Sequence, residues 1–267
     1  MRDIVVHSAD YRTWLGVVRY AAQLAASLPV SLTGLFVAPR SGPVPGPPKL
    51  AAEMAAYAQD ELHNAMLAGR DFTAWANQLG VTEAFWQVAI GQPHDALAMI
   101  GDWHDLVVLQ GNASRGFPGE RLVCETVLSG AACIAVPEAN NAPGRVVHAM
   151  VAWNGSAASS RALHAALPLL KRAKVVSLLQ QNAGHGGCGE PDALAHLRAH
   201  GVPVAAVETV TGADESASGQ VLAYASDTRA DLIVMGASGH GRPGERAFGP
   251  TTRAVLAQSR LPVFLKH

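Results

Sequence analysis

The residues best suited to chemistry lie in one glycine-rich stretch, Gly236-Ala-Ser-Gly239-His-Gly-Arg242-Pro-Gly-Glu-Arg-Ala-Phe-Gly249-Pro-Thr251-Thr252. It follows an apolar run, Asp231-Leu-Ile-Val-Met235, that reads as a strand, and it precedes a helical segment beginning near Thr251. A strand that ends in glycines and feeds a helix presents bare backbone N–H groups and the positive end of the helix dipole at the carboxyl edge of a sheet, which is an anion site. Gly236 and Gly239 are expected to let the chain approach a ligand closely, and Gly249 to supply a backbone angle that other residues avoid. Thr251 and Thr252 offer hydroxyl donors, and the planar fork of Arg242 suits phosphate oxygens.

A parallel sheet must position such a loop, and the rest of the chain alternates short β-rich runs with Ala/Leu-rich segments of helical period. The first half predicts strands at Ile4–Ser8, Val30–Val37, Thr82–Ala89, Asp105–Gln110 and Cys133–Val136. The second predicts Val146–Trp153, Lys174–Gln180, Pro203–Thr209, Asp231–Met235 and Pro262–Leu265. Helices are expected over Tyr11–Ser27, Leu50–Leu79, Pro93–Trp103 and Glu120–Gly130, then over Ala157–Arg172, Pro191–His200, Ser216–Arg229 and Thr251–Ser259. Five strands answer five, and Asp105-Leu-Val-Val-Leu matches Asp231-Leu-Ile-Val-Met in kind and place. The expected fold is α/β, with two tandem domains, each an open, parallel, five-stranded sheet. They span residues 1–138 and 145–267, joined by the turn-rich Pro137-Glu-Ala-Asn-Asn-Ala-Pro-Gly144. The interval from Ala9 to Asp105 exceeds that from Asn154 to Asp231 by 19 residues. The excess falls around Pro39–Asp60, where Pro43, Pro45, Pro47 and Pro48 predict a stiff surface excursion before an enlarged helix.

The spacing Gly-x2-Gly-x9-Gly resembles the phosphate-binding motif of the universal stress protein family. Val151-Ala152-Trp153-Asn154-Gly-Ser156, leading into Arg161-Ala-Leu-His-Ala-Ala-Leu, resembles that family's first strand and helix, and Gly239-His-Gly-Arg242 is frequent in its members. The resemblance covers the chain as a two-repeat member, most strongly from Val146 onward. It implies a Rossmann-like fold of the adenine-nucleotide alpha-hydrolase kind and a stress-response, regulatory role with at most slow hydrolysis. It also implies an ATP or other adenine-nucleotide site, with Mg²⁺ as companion ion, formed by Ala152, Trp153, Asn154, Met235, Gly236, Gly239, Arg242, Gly249, Thr251 and Thr252. Family subunits pair through their closing strands, so Cys133–Val136 is expected beside Pro262–Leu265 as a pseudo-dimer within one chain, with a homodimer as a further option.

Two positions depart from the ATP-binding branch, in which the first strand ends in aspartate and serine follows the last glycine: Asn154 and Pro250 stand there. Asn154 hydrogen-bonds without charge, and Pro250 suits a first helical turn but brings neither N–H nor hydroxyl. Each lost charge-assisted bond, at about 1.5–3 kcal/mol, weakens affinity roughly ten- to a hundredfold. In the first half Ala9 replaces the aspartate, and Gly111-Asn-Ala-Ser-Arg-Gly116-Phe-Pro-Gly119 has lost the spacing, so this half is expected not to bind nucleotide in the family manner. The competing reading is an interaction module for an unidentified protein partner, in which the glycine loop is structural.

Other matches carry less. Gly239-x-Gly241-x-x-Gly244 spells a dinucleotide fingerprint but follows a fourth strand, where a Rossmann fingerprint follows the first. His185 and Cys188 have no second ligand pair at metal spacing and read as a polar loop. His240 serves ligand or loop equally well, Trp153 is expected to be core or crevice wall, and His7 to satisfy a local hydrogen bond. Glu245 and Arg246 are given no role. No Walker, nucleophile-elbow or zinc-protease string occurs, so nothing names a nucleophile or base.

Composition bounds the rest. A chain of 267 residues with 49% hydrophobic and 15% charged residues can fill two cores. A net charge of −1 gives no basic field for nucleic acid or anionic membrane. The opening residues lack a secretory or spanning segment, and three scattered cysteines suit no disulfide framework, so the expectation is a cytoplasmic protein.

Overall fold

The computed structural model describes residues 1–40, 47–101, 103–111, 119–138, 143–182, 192–211, 217–237 and 248–267. The first half runs β1 (Asp3–Ser8), α1 (Val17–Ser27), β2 (Ser31–Ala38), α2 (Pro48–Leu67), α3 (Gly69–Gln78), β3 (Ala84–Ile90), α4 (Pro93–Gly101), β4 (Leu106–Gln110), α5 (Gly119–Leu128) and β5 (Cys133–Val136). The second runs β6 (His148–Trp153), α6 (Ala157–Leu170), β7 (Val175–Asn182), α7 (Ala193–Ala199), β8 (Val204–Thr211), α8 (Ala217–Asp227), β9 (Leu232–Gly236), α9 (Pro250–Gln258) and β10 (Val263–Lys266). Among the described residues no helix is long and apolar enough to cross a membrane.

The ten strands form one sheet in the order β3-β2-β1-β4-β5-β10-β9-β6-β7-β8. Each half is doubly wound: the chain steps outward from its first strand, then returns to the other side of it. Every pairing is parallel except that of β5 with β10, where Val263 faces Ala135, Phe264 faces Ile134 and Leu265 faces Cys133 in antiparallel register. The two halves therefore meet edge to edge through their closing strands. That contact removes the free edge that each short final strand would otherwise present.

Central strands buried on both faces must be apolar where they are covered, and Ile4–Val6 of β1, Leu106–Leu109 of β4 and Leu232–Met235 of β9 are. Alternate residues feed two cores. Ile4, Val6, Ile134 and Phe264 join the cluster on one face, while Val5, Cys133, Val263 and Leu265 join the other. Both clusters run through both halves. The repeated aspartate has a repeated structural use. Asp231 Oδ2 accepts the backbone N–H groups of Val147 (2.8 Å) and His148 (3.1 Å), and the Asp105 carboxylate accepts that of Arg2. Each aspartate, just ahead of the fourth strand of its half, thus clips the start of the first.

Two helices depart from the sequence expectation. The segment Tyr11–Leu15 is not helical, because Asp10 captures the Arg12 N–H and the Thr13 hydroxyl, both at 2.9 Å, and Gly16 at φ 57° redirects the chain into α1. The expected single helix over Leu50–Leu79 is broken at Ala68. There Trp86 Nε1 donates to the Ala65 carbonyl at 2.8 Å, diverting it from the helical ladder. Beneath that break Trp14, Phe72, Trp75 and Trp86 form a cluster with ring centroids 4.9–6.2 Å apart. The helix after the proline-rich segment, α2, reaches the loop beyond β1, where Arg12 pairs with Glu61 at 2.6 Å.

Candidate functional site

The chain reverses direction across the sheet between β6 and β9, and their carboxyl ends part to leave a crevice. A cavity of about 300 Å³ occupies it, near the lower end of the range for ligand sites. Strand β6 contributes Ala152, Trp153 and Asn154 at its end, β9 contributes Met235 and Gly236, and the start of α9 contributes Gly249, Pro250, Thr251 and Thr252. Eight of the ten residues expected from the sequence thus surround one cavity. Gly239 and Arg242 lie outside the described residues, as do His240, Glu245 and Arg246 of the same loop and His185 and Cys188 elsewhere.

The floor is set by how α6 meets the sheet. A Cβ on Gly236 would lie 2.3 Å from Ser159 N and 2.5 Å from the Ala158 carbonyl carbon. The missing side chain at Gly236 therefore admits the α6 backbone. Gly249 likewise has an ordinary reason for its place: as N-cap of α9 it is extended, at φ −63° and ψ 163°, angles open to any residue. Pro250 occupies the first helical position. The first helical hydrogen bond runs from Arg253 N to Gly249 O, and no side chain caps the helix, so the Thr251 and Thr252 N–H groups stand at the head of an uncapped dipole. Thr252 is buried against the cavity.

Asn154 is already engaged. Its Oδ1 accepts the Ser156 N–H at 3.2 Å, while Ser156 Oγ accepts the Ser159 N–H at 3.1 Å and caps α6. Part of the acceptor capacity of the Asn154 side chain is therefore spent within its own turn. Trp153 is half-buried, packs partly on the core and forms one wall of the crevice.

Gln181 on β7 and Gln220 on α8 complete the wall, and neither stood out from the sequence. A polar residue at the carboxyl end of a strand beside the switch point was the signal available for Gln181. Gln220 depended on how α8 folds back. None of the described lining residues carries a charge, so the crevice offers amides, hydroxyls and backbone N–H groups.

In the first half, Asp10 stands beside Ala9 but is committed to Arg12 and Thr13. His7 is buried, and desolvation lowers its pKa to about 4, so it stays neutral. Burial pushes the Cys133 thiol pKa well up, as befits a strand core residue.

The fold and crevice define a tandem, doubly wound α/β protein with a cavity at a switch point. The universal stress protein family model matches residues 131–266, and the chain belongs to that family. A universal stress protein from Archaeoglobus fulgidus DSM 4304 superposes with a TM-score of 0.69 at 17% identity, covering 99% of this chain and 97% of its own. A protein of unknown function from Pseudomonas aeruginosa PAO1 superposes at 0.61 and 14%, covering 99% and 92%. The full-length architecture, both halves together, is thus shared. A search of curated protein sequences finds no match.

Proposed function

We propose that this universal stress protein is a cytoplasmic regulatory protein of the stress response, built of units 1–138 and 145–267, whose second unit binds an adenine nucleotide in the β6–β9 crevice. The observation that carries this reading is the convergence of two strand ends and an uncapped helix N-terminus on one uncharged cavity. A neutral, half-apolar crevice suits a base and sugar, and the N–H groups of Thr251 and Thr252 suit phosphate oxygens. Phosphate charge beyond them falls to the loop that carries Arg242. Among the described residues no carboxylate lines the cavity, so Mg²⁺ would arrive on the phosphates themselves.

Thermal-shift and calorimetric titration with ATP and Mg²⁺ test the proposal. Stabilisation is expected, weak because of Pro250 and Asn154, and no response at millimolar ATP would sink it. The engagement of Asn154 with Ser156 and the missing N–H of Pro250 favour one competitor, an interaction module that uses the loop structurally. That reading forbids nucleotide in the protein as purified, which mass spectrometry of the native protein would detect.

A further inference from the structure

Trp153 also borders a second cavity, of about 380 Å³, together with Ser160, Leu163, His164, Asp192, Ala193 and His196. Here α6 and α7 meet, and three imidazoles converge. His196 lies in the last turn of α7 and His200 caps its C-terminus, so the i, i+4 spacing places both on one helix face. His164 comes from α6. Ring centroids are 4.6 Å apart for His164 and His196, 4.4 Å for His196 and His200, and 5.9 Å for His164 and His200. One ligand nitrogen from each ring lies within 4.8 Å of the other two.

Close packing of rings alone does not account for this arrangement. His196 Nε2 is buried without a hydrogen-bond partner, an unfavourable state for a polar atom. Three imidazoles gather one ring nitrogen each within 4.8 Å, and imidazole is a preferred ligand of Zn²⁺ and related divalent ions. Tetrahedral coordination with Zn–N near 2.05 Å needs nitrogens about 3.4 Å apart. That is closer than the 4.8 Å within which the nitrogens lie, so binding would draw the rings together, and His164 is the exposed ring of the three. Asp192 accepts the Ala195 N–H at 2.9 Å, and its negative charge borders the same cavity.

We propose that His164, His196 and His200 form a binding site for Zn²⁺, with three protein ligands and the fourth position open to water. The site joins α6, which packs beneath Gly236, to α7, and Trp153 separates it from the nucleotide crevice. Its existence does not depend on nucleotide binding.

The test is titration of tag-free, full-length protein with ZnCl₂ in nucleotide-free buffer, followed by calorimetry, with MgCl₂ as the contrasting ion. One Zn²⁺ per chain is expected, without matching Mg²⁺ binding, and CoCl₂ should give the intense visible absorption of a tetrahedral site. His164→Ala and His196→Gln should each weaken Zn²⁺ binding by at least about tenfold. His164 is exposed, so its variant retains the fold, as circular dichroism would verify. The proposal is overturned if wild type fails to bind Zn²⁺ or if His164→Ala binds it as tightly as wild type.

Discussion

At the scale of single residues, the proposed nucleotide site turns on what Asn154 offers a ligand. Asn154 Oδ1 accepts the Ser156 N–H, and the side chain carries no charge. An aspartate there would keep the local bond through one oxygen and offer the other, charged, to a ligand hydroxyl or amine. We expect Asn154→Asp to tighten ATP binding about five- to tenfold, since a charge-assisted bond exceeds a neutral one by about 1 kcal/mol. Calorimetry on the two proteins decides it, and equal affinities would mean that residue 154 does not face the nucleoside. The family motif and both departures from it were legible in the sequence. The engagement of Asn154 was not, because the Ser156 N–H reaches its side chain only once the turn into α6 has formed.

The glycine spacing acquires a different meaning at the scale of elements. Gly236 was expected to make room for a ligand, yet its missing side chain makes room for α6. Replacing it with alanine forces a Cβ against helix backbone, which cannot rotate away as a side chain would. We predict that Gly236→Ala destabilises the protein by about 1–3 kcal/mol, seen as a lower urea midpoint with unchanged slope. A stability equal to wild type would show that α6 shifts freely. The same scale explains the paired Asp105 and Asp231 motifs, which tie the fourth strand of each half to the first. Helix boundaries were less legible. The Asp10 turn and the Trp86–Ala65 bond are contacts of side chain with backbone, and periodicity carries no trace of either.

For the whole molecule, the joint of β5 with β10 turns two five-stranded sheets into one of ten and merges their cores on both faces. Phe264 is fully buried opposite Ile134 at that joint. The wild-type chain is expected to unfold in a single transition observed alike by far-ultraviolet circular dichroism and tryptophan fluorescence. Phe264→Ala should cost about 3–5 kcal/mol and separate the two signals, because four of the described tryptophans, Trp14, Trp75, Trp86 and Trp103, belong to the first half. Coincident, unshifted transitions in the variant would show that the halves do not depend on the joint. Glu120 of α5 also faces Arg253 of α9 across it, at 3.4 Å, though as an exposed pair it adds little.

The sequence by itself determined the strand and helix alternation, the repeat and the glycine-loop family, because burial imposes periodicity and backbone geometry selects glycine and proline along a local stretch of chain. The family resemblance implied that the halves meet through their closing strands, and β5 does pair with β10. Tertiary structure alone decided which backbone the absent Gly236 side chain accommodates, that Gln181 and Gln220 wall the crevice, and that His164 stands beside His196 and His200. Those relations join residues far apart in the chain, and they come into being only when helices dock on a sheet whose strand order differs from chain order.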